Sequence, residues 1–135
     1  MNVFFYGLFM DEALLVKKGI SPSSATVGYV DGFALRIGER ATLLRSAGAR
    51  SYGVIMNISP DEAKELYADS SVADYVPEPV TVELSDGSKV EAICYNLSVD
   101  KVTGTNNDYA ESLMEVAASL GFPDSYLDQI RQARI

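Results

Sequence analysis

The 135-residue chain contains no histidine and only one cysteine, Cys94. Without histidine it cannot form a Ser-His or Cys-His catalytic pair or a histidine-containing metal site, and one cysteine cannot build a thiolate zinc site. A lone cysteine also excludes an internal disulfide, which fits a reducing compartment. Any acid or base catalyst must therefore be a carboxylate, a lysine or a tyrosine, and we expect neither a metal centre nor a cofactor.

Basic residues are also scarce, because 11 Lys and Arg stand against 19 Asp and Glu and the net charge is -8 at pH 7. This balance lacks the positive footprint that nucleic acid binding requires. The first apolar run is broken at Gly7 and Asp11, has no basic segment before it, and no run approaches the length of a membrane span. We expect a soluble, cytoplasmic protein that binds neither nucleic acid nor membranes; the oligomeric state stays open.

The length suits one domain over residues 1–135. Apolar alternation and turn residues predict strands, with a loop over 21–28 and a tight turn at 85–88 that joins the last two strands. The predicted strands are 2–6, 29–38, 40–46, 52–58, 79–84 and 90–97. Helices are predicted after the first strand, from the Ser59-Pro60-Asp61-Glu62 capping box to Leu66 or Tyr67, over 106–121 and over 122–134. Strands that precede helices without regular alternation favour an α+β fold.

Several stretches carry a resemblance to a known family. The first strand ends in Tyr6-Gly7-Leu8-Phe9, and an Ala-Thr-Leu strand is followed by a Gly turn and a strand that opens with Tyr52-Gly53-Val54. The helix "PDEAKELY" comes next, and then Tyr75, Val80 and Val82 at a recurring spacing. Near the end stand Tyr109 and Gly121-Phe122-Pro123-x-x-Tyr126. In this order, over nearly the whole chain, the motifs resemble those of the γ-glutamylcyclotransferase superfamily.

The resemblance implies a mixed β-sheet or barrel of five or more strands with flanking helices. It implies a small γ-glutamyl or amino-acid-like ligand, whose α-amine attacks its own γ-amide carbonyl to form 5-oxoproline. In the family, backbone groups of the Tyr-Gly-x-x loop hold the amino-acid end of the substrate, which a helix start permits physically. The binding residues would then be Tyr6, Gly7, Leu8, Phe9 and Met10.

These residues could bind a ligand or could only fill the core. Leu8, Phe9 and Met10 are equally expected as core residues of a strand-to-helix corner. Gly7 is expected where close backbone approach and a special backbone conformation favour glycine. Tyr95 and Tyr109, like Tyr6, could line a pocket or could fill the core, as most tyrosines of a small domain do.

The catalytic glutamate of the family is missing from its expected place. It belongs to a Leu-Asp-x-x-Glu-Gly pattern that falls on "LYADSS", so that Ser70 stands where the glutamate would be. The family arginine two residues after Tyr75 is replaced by Pro77. A serine hydroxyl cannot act as the base, and Asp69 reaches the site only if its loop is rearranged.

Glu78 is a further substitute, because it has the same parity as the apolar residues of its strand, although flanking prolines favour an exposed edge. Asp74 is expected to be a solvated loop residue, and Glu39-Arg40 a solvated turn pair that could instead face the cavity. The sequence therefore leaves two functions open. One is a γ-glutamyl cyclotransferase with a displaced carboxylate. The other is a binding or regulatory module that takes a small carboxylate-bearing ligand without turnover.

Overall fold

The computed structural model describes residues 1–133. Within them it contains five strands, four α-helices and two short 3₁₀ turns, at Leu8–Met10 and Val99–Lys101. The strands are β1 (Asn2–Phe5), β2 (Ser23–Ile37), β3 (Ala41–Asn57), β4 (Val76–Leu84) and β5 (Lys89–Asn96). The helices are α1 (Glu12–Lys17), α2 (Pro60–Leu66), α3 (Asn107–Ser119) and α4 (Asp124–Gln132). The predicted last helix extended to Arg134, which lies outside the described residues.

The strands form a closed barrel in the order β1-β3-β2-β4-β5. All neighbouring pairs are antiparallel except β1 and β5, whose parallel pairing at Val3 and Ile93 closes the barrel. The predicted α+β class and the mixed barrel of five or more strands with flanking helices are confirmed.

Alternation of apolar and polar residues explains the barrel interior. In β2 the side chains of Phe33, Leu35 and Ile37 are buried while Arg36 is exposed, as the period of two predicts. In β4 the buried Val82 lies on the same face as Val80. The core of the molecule therefore follows from short-range patterning.

Two predicted features of the first hairpin are wrong. Residues 21–28 were expected to be a loop, but β2 begins at Ser23 and pairs with the end of β3. Runs 40–46 and 52–58 were expected to be separate strands, but both belong to β3. The hydrogen-bond ladder between β2 and β3 is interrupted between the pairs Phe33–Arg45 and Asp31–Arg50, but the strand continues. Gly48, whose φ is +81°, lies in this interruption, so the expected break is present as a bulge within one strand and not as a turn between two strands.

Local signals at the other turns are confirmed. Ser59 and Glu62 form the capping box of α2, in which each side chain accepts from the other residue's N–H. The turn 85–88 connects β4 and β5 as an antiparallel hairpin. No helix in the described part of the chain is long and apolar enough to cross a membrane.

Candidate functional site

A cavity of about 250 Å³ opens beside the turn that follows β1. One wall is this turn, from Tyr6 to Phe9, and a second is the β2–β3 connection at 39–41. Further wall residues come from β1, from α1, from the segment after α2, from β5 and from α3: Phe4, Phe5, Leu14, Tyr67, Ser71, Val72, Tyr75, Tyr95 and Tyr109. Most of the lining atoms are apolar.

The turn after β1 is fixed by hydrogen bonds at both ends. The Tyr6 hydroxyl donates to the Tyr95 carbonyl at 2.7 Å, which anchors the end of β1 to β5. The Met10 N–H donates to the Gly7 carbonyl, and the Leu8 N–H donates to the Tyr109 hydroxyl at 3.3 Å. Within residues 1–133 we find no protein acceptor for the N–H groups of Gly7 and Phe9. Two backbone donors of the turn are therefore available to a ligand.

Gly7 is required by a side chain rather than by its backbone conformation. Its φ of -105° and ψ of -154° are extended, so the expected special conformation is wrong. The expected close approach is present, because a Cβ at this position would collide with the hydroxyl oxygen of Tyr109. Glycine here lets α3 approach the cavity turn.

Aromatic rings form a continuous wall. Tyr67 stacks on Tyr95, with ring centroids 3.9 Å apart and planes 12° from parallel. The ring of Phe9 meets the ring of Tyr67 edge-on, with centroids 6.2 Å apart, and the ring centroid of Tyr75 lies 6.1 Å from that of Tyr67. Burial raises the pKa of Tyr67 well above its usual value and raises the pKa of Tyr109 to about 12. These hydroxyls therefore stay protonated at neutral pH and cannot serve as bases there.

Arg40 and Asp74 form an ion pair at the rim. The two terminal guanidinium nitrogens of Arg40 donate to the Asp74 carboxylate, Nη2 at 2.9 Å, and Nη1 also donates to the Ser71 carbonyl. The hydrogen bond from Arg40 is the main cause that lowers the pKa of Asp74. Asp74 is thus a half-buried, ion-paired residue and not the solvated loop residue that was expected, and Arg40 is neutralised by a partner from the segment after α2. The pair joins two of the walls.

Asp69 and Ser70 lie in the turn after α2, outside the cavity lining. The Asp69 carboxylate accepts hydrogen bonds from the N–H and hydroxyl of Ser71, and these bonds lower its pKa. Ser70 is exposed, and its neighbour Ser71 lines the cavity instead. A catalytic role for Asp69 or Ser70 stays a prediction that this geometry does not favour.

Glu78 belongs to β4 and lies opposite Cys94. Its carboxylate accepts from the Asn96 side-chain amide and pairs with Arg45 at 3.1 Å. Its side chain is 30% exposed, which is neither the fully exposed nor the fully buried alternative, and it does not line the cavity. The two flanking prolines are accommodated because β2 joins β4 only near its end, which leaves an open edge beside them.

Six of the seven predicted binding residues line the cavity: Tyr6, Gly7, Leu8, Phe9, Tyr95 and Tyr109. Met10 does not, since it is buried in the core. Sequence reasoning missed Tyr67. It favoured a solvated position for Glu39, and Glu39 is indeed exposed, but it also lines the cavity. For Glu39 the available signal was its position directly before the Arg-Ala-Thr-Leu motif.

Comparisons with known proteins agree with this architecture. A structure described as a gamma-glutamyl cyclotransferase superposes with a TM-score of 0.78 at 17% identity, covering 97% of this chain and 86% of that one. The structure of an uncharacterized protein from Homo sapiens superposes with a TM-score of 0.77 at 19% identity, covering 96% of this chain and 85% of that one. An AIG2-like protein from Mus musculus gives 0.61 at 15%, with 80% of each chain covered. These identities support the fold alone.

Sequence comparison identifies the family. No curated protein sequence matches the chain. A family model described as the AIG2-like family matches residues 50–130, which is more than half of the chain. This protein therefore belongs to the AIG2-like family, and its fold is that of the structure described as a gamma-glutamyl cyclotransferase.

Proposed function

We propose that the protein binds a small γ-glutamyl compound in the cavity beside the Tyr6–Phe9 turn and cyclises it to 5-oxoproline. The observation that carries this proposal is that one cavity is lined both by a turn with available backbone donors and by a carboxylate, Glu39. The likeness to a structure described as a gamma-glutamyl cyclotransferase supports the reaction class.

The cavity has features that such a substrate needs. Its volume of about 250 Å³ suits a small molecule. The N–H groups of Gly7 and Phe9 can donate to the substrate α-carboxylate, since backbone donors bind anions well where they converge. The aromatic wall of Phe9, Tyr67 and Tyr95 offers an apolar surface for the departing amine.

The reaction itself requires one proton carrier. The substrate α-amine attacks the γ-amide carbonyl, the ring bond forms, and the amide bond to the departing amine breaks. A group that accepts the proton of the attacking amine and returns it to the leaving nitrogen contributes typically about 100 to 10,000-fold in rate. Holding the substrate in a bent conformation contributes as well, because the reaction is intramolecular.

A second candidate function is ligand binding without turnover. It is favoured by a specific observation, namely that Ser70 replaces the family glutamate and that Asp69 and Glu78 lie outside the cavity lining. In this case the cavity would bind a γ-glutamyl compound or an amino acid, and the protein would act as a binding or regulatory module.

A panel of γ-glutamyl compounds distinguishes the two functions. We expect 5-oxoproline, measured by mass spectrometry, from at least one compound, together with a rise in melting temperature. The variant Val72→Trp places a large ring at the cavity wall and should abolish both effects, whereas Val99→Trp changes a valine that is 68% exposed and outside the cavity and should preserve them. Stabilisation without product would support the second function, and product formation by Val72→Trp at the parental rate would refute the cavity as the site.

A further inference from the structure

We propose that Glu39 is the acid/base catalyst that replaces the missing family glutamate. This inference rests on the proposed cyclotransferase function and concerns the same cavity. It assigns the proton transfer to the connection between β2 and β3, a different part of the chain from the turn after α2 that carries the glutamate in the family pattern.

Elimination among the cavity residues leads to Glu39. Among the described residues that line the cavity, it is the only carboxylate. Arg40 is held by Asp74, and the Ser71 hydroxyl donates to Asp69. The tyrosine hydroxyls stay protonated because burial raises their pKa, as for Tyr67. Only Glu39 combines a position on the cavity with a carboxylate, which is a group that can act as a general base.

The backbone of Glu39 is held in place by the segment before α3. Its N–H donates to the Thr103 carbonyl at 2.8 Å, and its carbonyl accepts from the Asn106 side chain at 3.2 Å. Asn106 also accepts from the Tyr109 N–H as the N-cap of α3. The residue that carries the carboxylate is therefore tied to the helix that supplies Tyr109 to the cavity.

The side chain of Glu39 rests in a notch made by glycines. A Cβ on Gly104 would lie 2.7 Å from Cγ and 3.2 Å from Cδ of Glu39, so a larger residue there would displace this side chain from its present position. Gly104 has a φ of +75°, a conformation that glycine adopts without strain. A Cβ on Gly38 would similarly lie 2.5 Å from the Thr103 carbonyl oxygen. The two glycines let the connection and the 103–104 segment pack together and direct the side chain.

The Glu39 carboxylate is available for proton transfer. In the described part of the chain it makes no hydrogen bond and no ion pair of its own. In the proposed step it accepts a proton from the α-amine while the nitrogen forms its bond to the γ-carbonyl carbon. The protonated carboxyl then donates to the departing nitrogen as the amide bond breaks, which leaves 5-oxoproline, a free amine and the original carboxylate. No further reactant is needed.

The test compares Glu39→Gln with a matched control. Glu111→Gln removes the same charge from an exposed position on α3 that does not line the cavity. We measure 5-oxoproline release at saturating γ-glutamyl substrate, substrate affinity by calorimetry, and melting temperature for the parent and both variants. Glu39→Gln should lose about 100-fold or more in rate while it still binds substrate and stays folded, and Glu111→Gln should behave as the parent.

The outcomes separate the inference from the function beneath it. If the parent and Glu39→Gln release 5-oxoproline at rates within about threefold of each other, Glu39 is not the catalyst although the proposed reaction stands. If the parent forms no product from any compound, the proposed reaction fails and the role of Glu39 fails with it. If Glu39→Gln no longer binds substrate while its melting temperature is unchanged, Glu39 is a binding residue and the catalytic assignment is overturned.

Discussion

Gly7 and Tyr109 should behave as an interacting pair in unfolding measurements. A Cβ at Gly7 collides with the Tyr109 hydroxyl, but the next ring atom, Cζ, lies at 3.8 Å, an ordinary contact distance. Gly7→Ala should therefore lower the free energy of unfolding by about 1–3 kcal/mol through overpacking. About 0.4–1 kcal/mol of this loss is offset, because alanine can adopt the extended backbone and restricts the unfolded chain. Tyr109→Phe should cost about 0.5–1.5 kcal/mol, because the Leu8 N–H loses its hydrogen-bond partner.

The double variant removes the source of the collision. Without the hydroxyl, Gly7→Ala should no longer destabilise and should give a coupling energy of about 0.5–3 kcal/mol in the double-mutant cycle. Free energies of unfolding from urea titrations of the four proteins measure it. Gly19→Ala serves as the control, because a Cβ there meets nothing within 4 Å and its cost should add to that of Tyr109→Phe. Additive costs for Gly7→Ala and Tyr109→Phe, within about 0.5 kcal/mol, would refute the steric explanation.

Three further predictions follow from other parts of the structure. Ser70→Glu should change 5-oxoproline release by less than about threefold, because residue 70 is exposed outside the cavity lining; a large gain would show that this turn reaches the substrate. Asp74→Asn should lower the melting temperature at neutral pH. Because pairing with Arg40 lowers the pKa of Asp74 in the folded state, the stabilisation is present above the unfolded-state pKa and is lost as the pH falls through the folded-state pKa. The melting temperatures of parent and variant should therefore converge in acid, and a difference that does not change with pH would contradict this. Cys94 is buried and its thiol pKa is raised by burial, so a thiol reagent should modify it only in denaturant, and fast modification of the native protein would contradict its placement.

Features set by neighbouring residues could be predicted from the sequence. The capping box at Ser59, the hairpin turn at 85–88 and the apolar face of β2 each depend on a few adjacent side chains. The sequence could not show that Gly48 lies in a bulge within one strand, because pairing with β2 on both sides of Gly48, rather than local propensity, makes β3 one strand.

The candidate site was accessible from the sequence only in part. The turn at Tyr6–Phe9 could be assigned through its motif, but the need for glycine at position 7 arises from Tyr109 on α3. Likewise, Arg40 pairs with Asp74, and the Glu39 side chain packs against Gly104, only because segments distant in sequence pack together. A local pattern cannot separate a solvated Glu-Arg turn from one that lines a cavity, because both are polar and both follow a strand.

The central claim is that the cavity holds a γ-glutamyl compound between the turn and Glu39. A crystal structure of the Glu39→Gln variant with a γ-glutamyl substrate tests it most directly. We predict the substrate α-carboxylate within hydrogen-bond distance of the Gly7 and Phe9 N–H groups, with its α-amine beside residue 39 and its departing group against Tyr67. Substrate bound elsewhere on the protein, or held in the cavity with its α-amine far from residue 39, would contradict the account.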